Sequence, residues 1–274
     1  MAEPRIWAGG AVLATLVAVA LLAPWLAPHD PLAQDLLAGQ LPPFWLAGAD
    51  PLYPLGTDSL GRDLLSRLIY GARVALTVAV VASALAALLG TALGLVAGWF
   101  GGWADMAISR LIDIWMAFPP VLLSIVLVAV IGAGLPAVII AIVIVDWTRF
   151  ARVIRAEAIQ QRGRDYITSA VTIGLGRWAI LLREILPNVL PLLLVLLTLE
   201  MGVAVIVEAI LSFVGLSVSS DSPTWGGLIA EGRQYIHQAW WVMVAPICCL
   251  IVVVVGLNAL GDGLKNALDP VLRR

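Results

Sequence analysis

Five long apolar stretches, four of them without a single charged side chain, constrain this chain more than any other feature. They are Ile6 to Leu26, Val74 to Phe100, Ile114 to Val145, Val189 to Phe213 and Ala239 to Leu260, and only the fourth holds charges, Glu200 and Glu208. A span of about 20 apolar residues matches the hydrocarbon thickness of a bilayer. The first stretch exceeds the roughly 7–15 residues of a signal-peptide core, so it reads as a retained helix. The third is too long for one crossing and contains IGAGLP, Ile131 to Pro136, a turn signal that splits it in two. Its second half then runs on past Asp146 and Arg149, an i, i+3 pair that neutralises itself near an interface. The expectation is an all-α polytopic membrane protein with six transmembrane helices and both termini on one side.

Charge sets the side. The N-terminus, the loop near Arg110, the loop after Arg149 and the C-terminus together collect 12 of the 16 Lys and Arg, leaving Arg62, Arg67, Arg73 and Arg233 opposite. Positive residues stay inside, so both termini are expected to be cytoplasmic. With 61% hydrophobic and 12% charged residues and a net charge of −2, nucleic-acid binding is excluded as an expectation. The neighbouring Cys248 and Cys249 point about 100° apart on a helix, which suits core packing rather than a disulfide or metal pair. His29 and His237 are far apart, and no HExxH, GxSxG or GxxxxGK[ST] pattern occurs. The chain therefore reads as a non-catalytic subunit that cannot hydrolyse ATP by a phosphate loop.

Seven arginines (149, 152, 155, 162, 164, 177 and 183) crowd the stretch from Arg149 to Arg183, six of them in the loop spanning about 152–188. Within it Ile167, Ala170, Val171 and Gly174 fall at i, i+3, i+4, i+7, one face of a short helix. Asp165 is placed to cap that helix and Gly174 to end it. Trp178, Leu181, Leu182 and Ile185 repeat the spacing until Pro187, which is expected to break it. A chain reversal needs only a few polar residues. An apolar-faced helix there offers a surface to a partner.

The segment DYITSAVTIGLGRWAILLREILPN resembles the EAA loop of ABC-importer permeases, with Gly174 and Gly176 at the glycine-containing turn and Leu186-Pro187-Asn188 closing it. Ser169, Ala170 and Val171 stand where that pattern runs Ala-Ala-Arg, and Glu184 where it carries His. The resemblance implies that Asp165, Tyr166, Ile167, Ala170, Val171, Gly174, Leu175 and Gly176 dock on a cytoplasmic ATPase. Three further segments, LGTDSLGRDLLSR, Glu208 to Arg233 and Trp240 to Pro270, resemble the C-type subunit of the dipeptide, oligopeptide and nickel branch. The last carries Gly261-Asp262-Gly263 and Leu268-Asp269-Pro270. From about Pro54 onward, the likeness implies a type I importer permease fold. Its partners would be a homologous second permease, two ATPase subunits, an extracytoplasmic substrate-binding protein and the lipid bilayer. ATP and Mg would sit on the ATPases, with no cofactor on this chain. The implied cargo is di- or oligopeptide, with nickel or a metal chelate as the alternative. An ion-coupled secondary transporter or channel is the reading from a different class, but such proteins carry internal repeats and none is evident.

The residues beside these segments have their own physics. Thr57 or Asp58 is placed to cap an amphipathic helix with Leu60, Leu64, Leu65 and Leu68 on one face, lying along the outer interface. Asp58 and Asp63 read as a cap and a solvated side chain rather than metal ligands. With Arg62, Trp225 and Gly226 they form a candidate exterior partner or gate surface. Pro223, Trp225, Gly226 and Gly227 suit a small lid. Glu200 and Glu208 lie about 80° apart on one helix, so both can face a pathway or a helix interface. The expected division is 1–73, a first span plus exterior segment, and 74–274, a five-helix core carrying the loop.

Overall fold

The computed structural model describes residues 4–217 and 222–268. Among them there are ten helices, one 3-10 turn at Leu36–Ala38 and no strand. Helix α1, Pro4–Leu26, lies along α10, Trp240–Leu268, at glycine-only distances. A methyl at Gly9 would stand 2.5 Å from the Gly256 carbonyl oxygen. The Gly261-Asp262-Gly263 run lies inside α10, whereas Asp269 and Pro270 fall outside the described residues.

Residues 57–63 do not form the amphipathic helix expected there. They make a tight turn with an isolated bridge between Thr57 and Asp63. At its centre Gly61 takes φ +71°, where a Cβ would lie 1.7 Å from the Asp35 carbonyl oxygen. A helix cannot pass through that conformation. Asp63 caps the next element instead: its carboxylate accepts from the Ser66 amide at 3.0 Å and the Ser66 hydroxyl at 2.5 Å. Helix α2 then runs unbroken through 37 residues, Leu64–Phe100, past the division expected at residue 73.

The chain continues through α3, Gly102–Met116, and α4, Pro120–Ile131, which meet at 88°. Pro119 and Pro120 cause the bend, because a residue before proline avoids the α conformation. At only 12 residues, α4 is about 18 Å long, too short to cross alone. The break at Gly132 and Gly134 falls where predicted, both with positive φ. Helix α5, Leu135–Arg162, follows. Then come α6, Asp165–Thr172, and α7, Arg177–Ile180, which joins α8, Leu186–Phe213, through a π-helical turn at Leu181–Ile185. Pro187 therefore does not end a helix. The wider π turn absorbs its missing N–H, with the Leu186 amide reaching back to Leu181. Helix α9, Trp225–Gln234, packs between α8 and α10.

The most extensive pairing is α2 with α5. Three glycines one turn apart make it possible. A methyl at Gly90, Gly94 or Gly98 would sit 2.3, 2.6 or 2.6 Å from Trp147 O, Ala151 O or Ala158 Cβ. Small residues at this spacing let membrane helices approach closely. Four helices among the described residues are long and apolar enough to span a bilayer, and the bent α3–α4 pair makes a fifth. The fourth crossing expected from the sequence falls on α5, which is not among these five and is apolar only as far as Val145.

Candidate functional sites

The arginine-rich loop splits its predicted apolar face in two. Ile167 and Ala170 turn inward, joining a cluster with Leu95, Trp99, Ile154, Ile180, Leu181 and Ile185. Val171 is 55% exposed and Trp178 60%, and Ile173 and Leu175 are exposed beside them. The inward pair anchors the short helix on α2, α5 and α8; the outward set is exposed apolar surface among the described residues, with Trp178 leaning on Phe100. Periodicity identifies a face but not which part of it the body covers. Asp165 is not the cap. It is the first helical residue, where its charge suits the helix dipole, and Arg164 occupies the cap position without a capping bond. Gly174 ends the segment at φ +86° with open space around it, and Gly176 sits at the start of α7 with ordinary φ −65°. The Tyr166 hydroxyl donates to Gln161 Oε1 at 2.8 Å. Burial pushes its pKa up, helped by Glu184, so it stays a neutral donor.

At the opposite end, Asp58 is fully buried rather than solvated. Arg62 Nε donates to Asp58 Oδ2 at 2.7 Å, and Arg67 Nη1 reaches the same oxygen. Both guanidiniums also bond Glu231 Oε2, each at 2.9 Å, while Ser59 Oγ donates to Glu231 Oε1 at 3.0 Å. Two cations face two carboxylates, and the group ties the 57–67 turn to α9. Trp225 is buried beneath it, its indole N–H donating to Leu68 O at 3.0 Å. A methyl at Gly226 would lie 2.1 Å from Ala209 O, so only glycine lets α9 rest on α8. Thr224 caps α9 by accepting from the Gly227 amide at 3.1 Å. Asp58, Arg62, Trp225 and Gly226 thus belong to one assembly; Asp63 stands beside it as a cap. Arg67 and Glu231 were not singled out in the sequence. Arg67 lies one helical turn from Asp63 but bonds Asp58 and Glu231 instead, and no local spacing signals either pairing.

Between the two ends, Glu200 is bound to Arg149, whose Nη1 lies 3.2 Å from Glu200 Oε2. Asp146 sits 3.9 Å from the same guanidinium, so the predicted i, i+3 pair becomes a three-member link between α5 and α8. Glu208, 2% exposed, accepts from the Ser212 hydroxyl at 2.6 Å and the Ser217 hydroxyl at 3.1 Å. Both carboxylates therefore face protein within this chain. Among the described residues no three metal-ligating side chains converge.

Comparison with known proteins places this architecture. Residues 90–274 match the profile of the binding-protein-dependent transport system inner membrane component, and residues 3–43 match the N-terminal TM domain of oligopeptide transport permease C. The di/tripeptide transport system permease protein DppC of Pseudomonas aeruginosa is 41% identical over 94% of this chain and 85% of its own. The dipeptide transport system permease protein DppC of Haemophilus influenzae is 38% identical over 97% and 90%. Among solved structures, an inward-facing MetNI methionine ABC transporter superposes with TM-score 0.61 at 20% identity, covering 75% of this chain and 98% of that one. A membrane-spanning helical bundle with this loop, matched over two thirds of its length, leaves one assignment: the chain belongs to the family of binding-protein-dependent transport system inner membrane components, in the dipeptide branch of the ABC-importer permeases.

Proposed function

We propose that this chain is one of two permease subunits forming a path for di- or oligopeptides across the cell membrane. Six crossings put both termini in the cytoplasm, with α4 and the end of α3 supplying the third and α5 the fourth. A homologous permease completes the path, two cytoplasmic ATPases supply ATP hydrolysis with Mg, and an extracytoplasmic binding protein delivers cargo. Relatives named for dipeptide and di/tripeptide transport support the cargo class.

The observation that carries this reading is the two-sided loop helix. Its outward apolar residues, Val171, Ile173 and Leu175, stay exposed among the described residues, as does Trp178 beyond its contact with Phe100. Its inward residues, Ile167 and Ala170, are fixed on the same cluster as α2, α5 and α8. A push on the outer face is then delivered to the spans as a rigid-body motion, since packed interiors transmit displacement rather than absorb it. The Asp146–Arg149–Glu200 link makes α5 and α8 move together. At the far end the Asp58–Arg62–Arg67–Glu231 group fixes α9, the element facing the delivered cargo.

Val171→Asp tests the reading. A carboxylate at an apolar contact must be desolvated without a partner, so ATPase association and peptide uptake should fall together while membrane insertion persists. Unchanged uptake and ATPase recovery in that variant would remove the docking surface from this loop.

A further inference from the structure

Two cavities lie in line along the seam where α1 meets α2 and α10. The deeper, about 560 Å³, is lined by Thr15, Leu16 and Val19 of α1, Leu68 of α2, and Val252 and Val253 of α10. The shallower, about 230 Å³, is walled by Trp45, Trp240, Trp241 and Val244. Leu55 and Cys248 line both and stand at their junction. From Trp241 to Val253 the helix descends about 18 Å, close to the roughly 15 Å of one leaflet's hydrocarbon.

The lining changes with depth as a lipid does. Indole rings, which favour the membrane–water interface, rim the shallow end, where Trp45 and Trp240 are partly exposed. The deep end is lined mostly by aliphatic side chains, with Thr15, Cys249 and the buried Trp225 among them. Cys248 and Val252 open sideways and are exposed. They continue into the bare face of Ile251 and Val255, so the groove is continuous with the surface these spans present to lipid. No cation or carboxylate lines either cavity. We infer that this seam is a binding groove for one acyl chain of a diacyl phospholipid from the leaflet at the α9 end, selected by chain and not by headgroup. The lipid would fill the space between α1 and the rest of the bundle, and α1 would be held partly through it.

The test uses the assembled transporter in phosphatidylcholine nanodiscs containing a phosphatidylcholine with a mid-chain diazirine. After irradiation, adducts mapped by mass spectrometry should concentrate on residues 11–19 and 248–253 and exceed those on residues 120–131. Thr15→Trp places an indole in the deep cavity. Adducts on 248–253 should then drop roughly tenfold, the effect of about two methylenes left unburied. Ala11→Trp, one turn along the same wall, should do the same if Thr15→Trp fails to assemble. A phosphatidylglycerol probe should give the same map. Equal labelling of all lipid-facing helices, labelling unaffected by both indoles, or cross-links from the groove to the second permease in place of lipid would each overturn the inference.

Discussion

Asp58 has no solvent access, and its loss would leave Arg62 and Arg67 competing for Glu231 alone. Removing one member of a buried ion pair typically costs about 3–5 kcal/mol, because the partner charge stays desolvated. Asp58→Ala should therefore lower the thermal unfolding temperature of the detergent-solubilised protein sharply. Arg152→Ala is the contrasting case. Its 3.7 Å contact to Asp113 is more than half exposed on both sides, and such pairs contribute about 0–1 kcal/mol, so the melting curve should barely move. The same melting assay separates two roles for Glu208. Glu208→Gln keeps an acceptor oxygen for Ser212 and Ser217. Glu208→Ala removes it and should cost about 1–3 kcal/mol for each hydroxyl left buried and unpaired. A loss of uptake in Glu208→Gln with unchanged melting would place the charge itself on the path. These residues also mark where sequence reading stops. Asp58 and Asp63 both suit a cap position, and the choice between them rests on the left-handed Gly61 and on Glu231, more than 160 residues further on.

Elements were legible where local chemistry decides them. The apolar stretches become helices because no other spanning structure but a closed barrel satisfies its own backbone in lipid. The IGAGLP run breaks the helix locally, two glycines at positive φ being followed by a proline suited to the next helix's first turn. What overrode local signals was packing. Pro187 looks like a stop, yet the π turn before it lets the helix carry on from the loop into the bundle. The Gly90, Gly94 and Gly98 ladder was available in the sequence as a repeated small-xxx-small pattern, and it identifies the α2 face that meets α5. That face yields a prediction. Gly94→Leu would drive a branched side chain into the Ala151 and Arg155 backbone, and the protein should fail to accumulate in the membrane. Gly94→Ala should accumulate but lose about 1–3 kcal/mol, the usual cost of overpacking. A Gly94→Leu protein that accumulates and transports normally would mean that the α2–α5 approach is not required. Gly174 behaves differently because its surroundings are open and only its φ of +86° is restrictive. Asn, which tolerates that conformation, should sustain uptake there better than Val.

For the whole molecule, the orientation proposed above rests on charge rather than on packing. Helices of this hydropathy would pack equally well either way up, so the arginines carry the orientation. The loop between Arg152 and Arg183 holds six arginines, whereas the 27–63 segment holds one and five aspartates. Moving that many cations across the bilayer is the unfavourable alternative. Ser169, exposed on α6, and Leu37, almost fully exposed in the 27–63 segment, lie at opposite ends and are convenient reporters. In a Cys248→Ala, Cys249→Ala background, Leu37→Cys should react with an impermeant maleimide in intact cells (spheroplasts where an outer membrane intervenes). Ser169→Cys should react only after the membrane is opened. If the proposed ATPases dock on this loop, adding them after the membrane is opened should protect Ser169→Cys, which lies one helical turn from Ile173. Labelling of Ser169→Cys from outside would invert the bundle, and with it the assignment of the arginine-rich loop to a cytoplasmic motor.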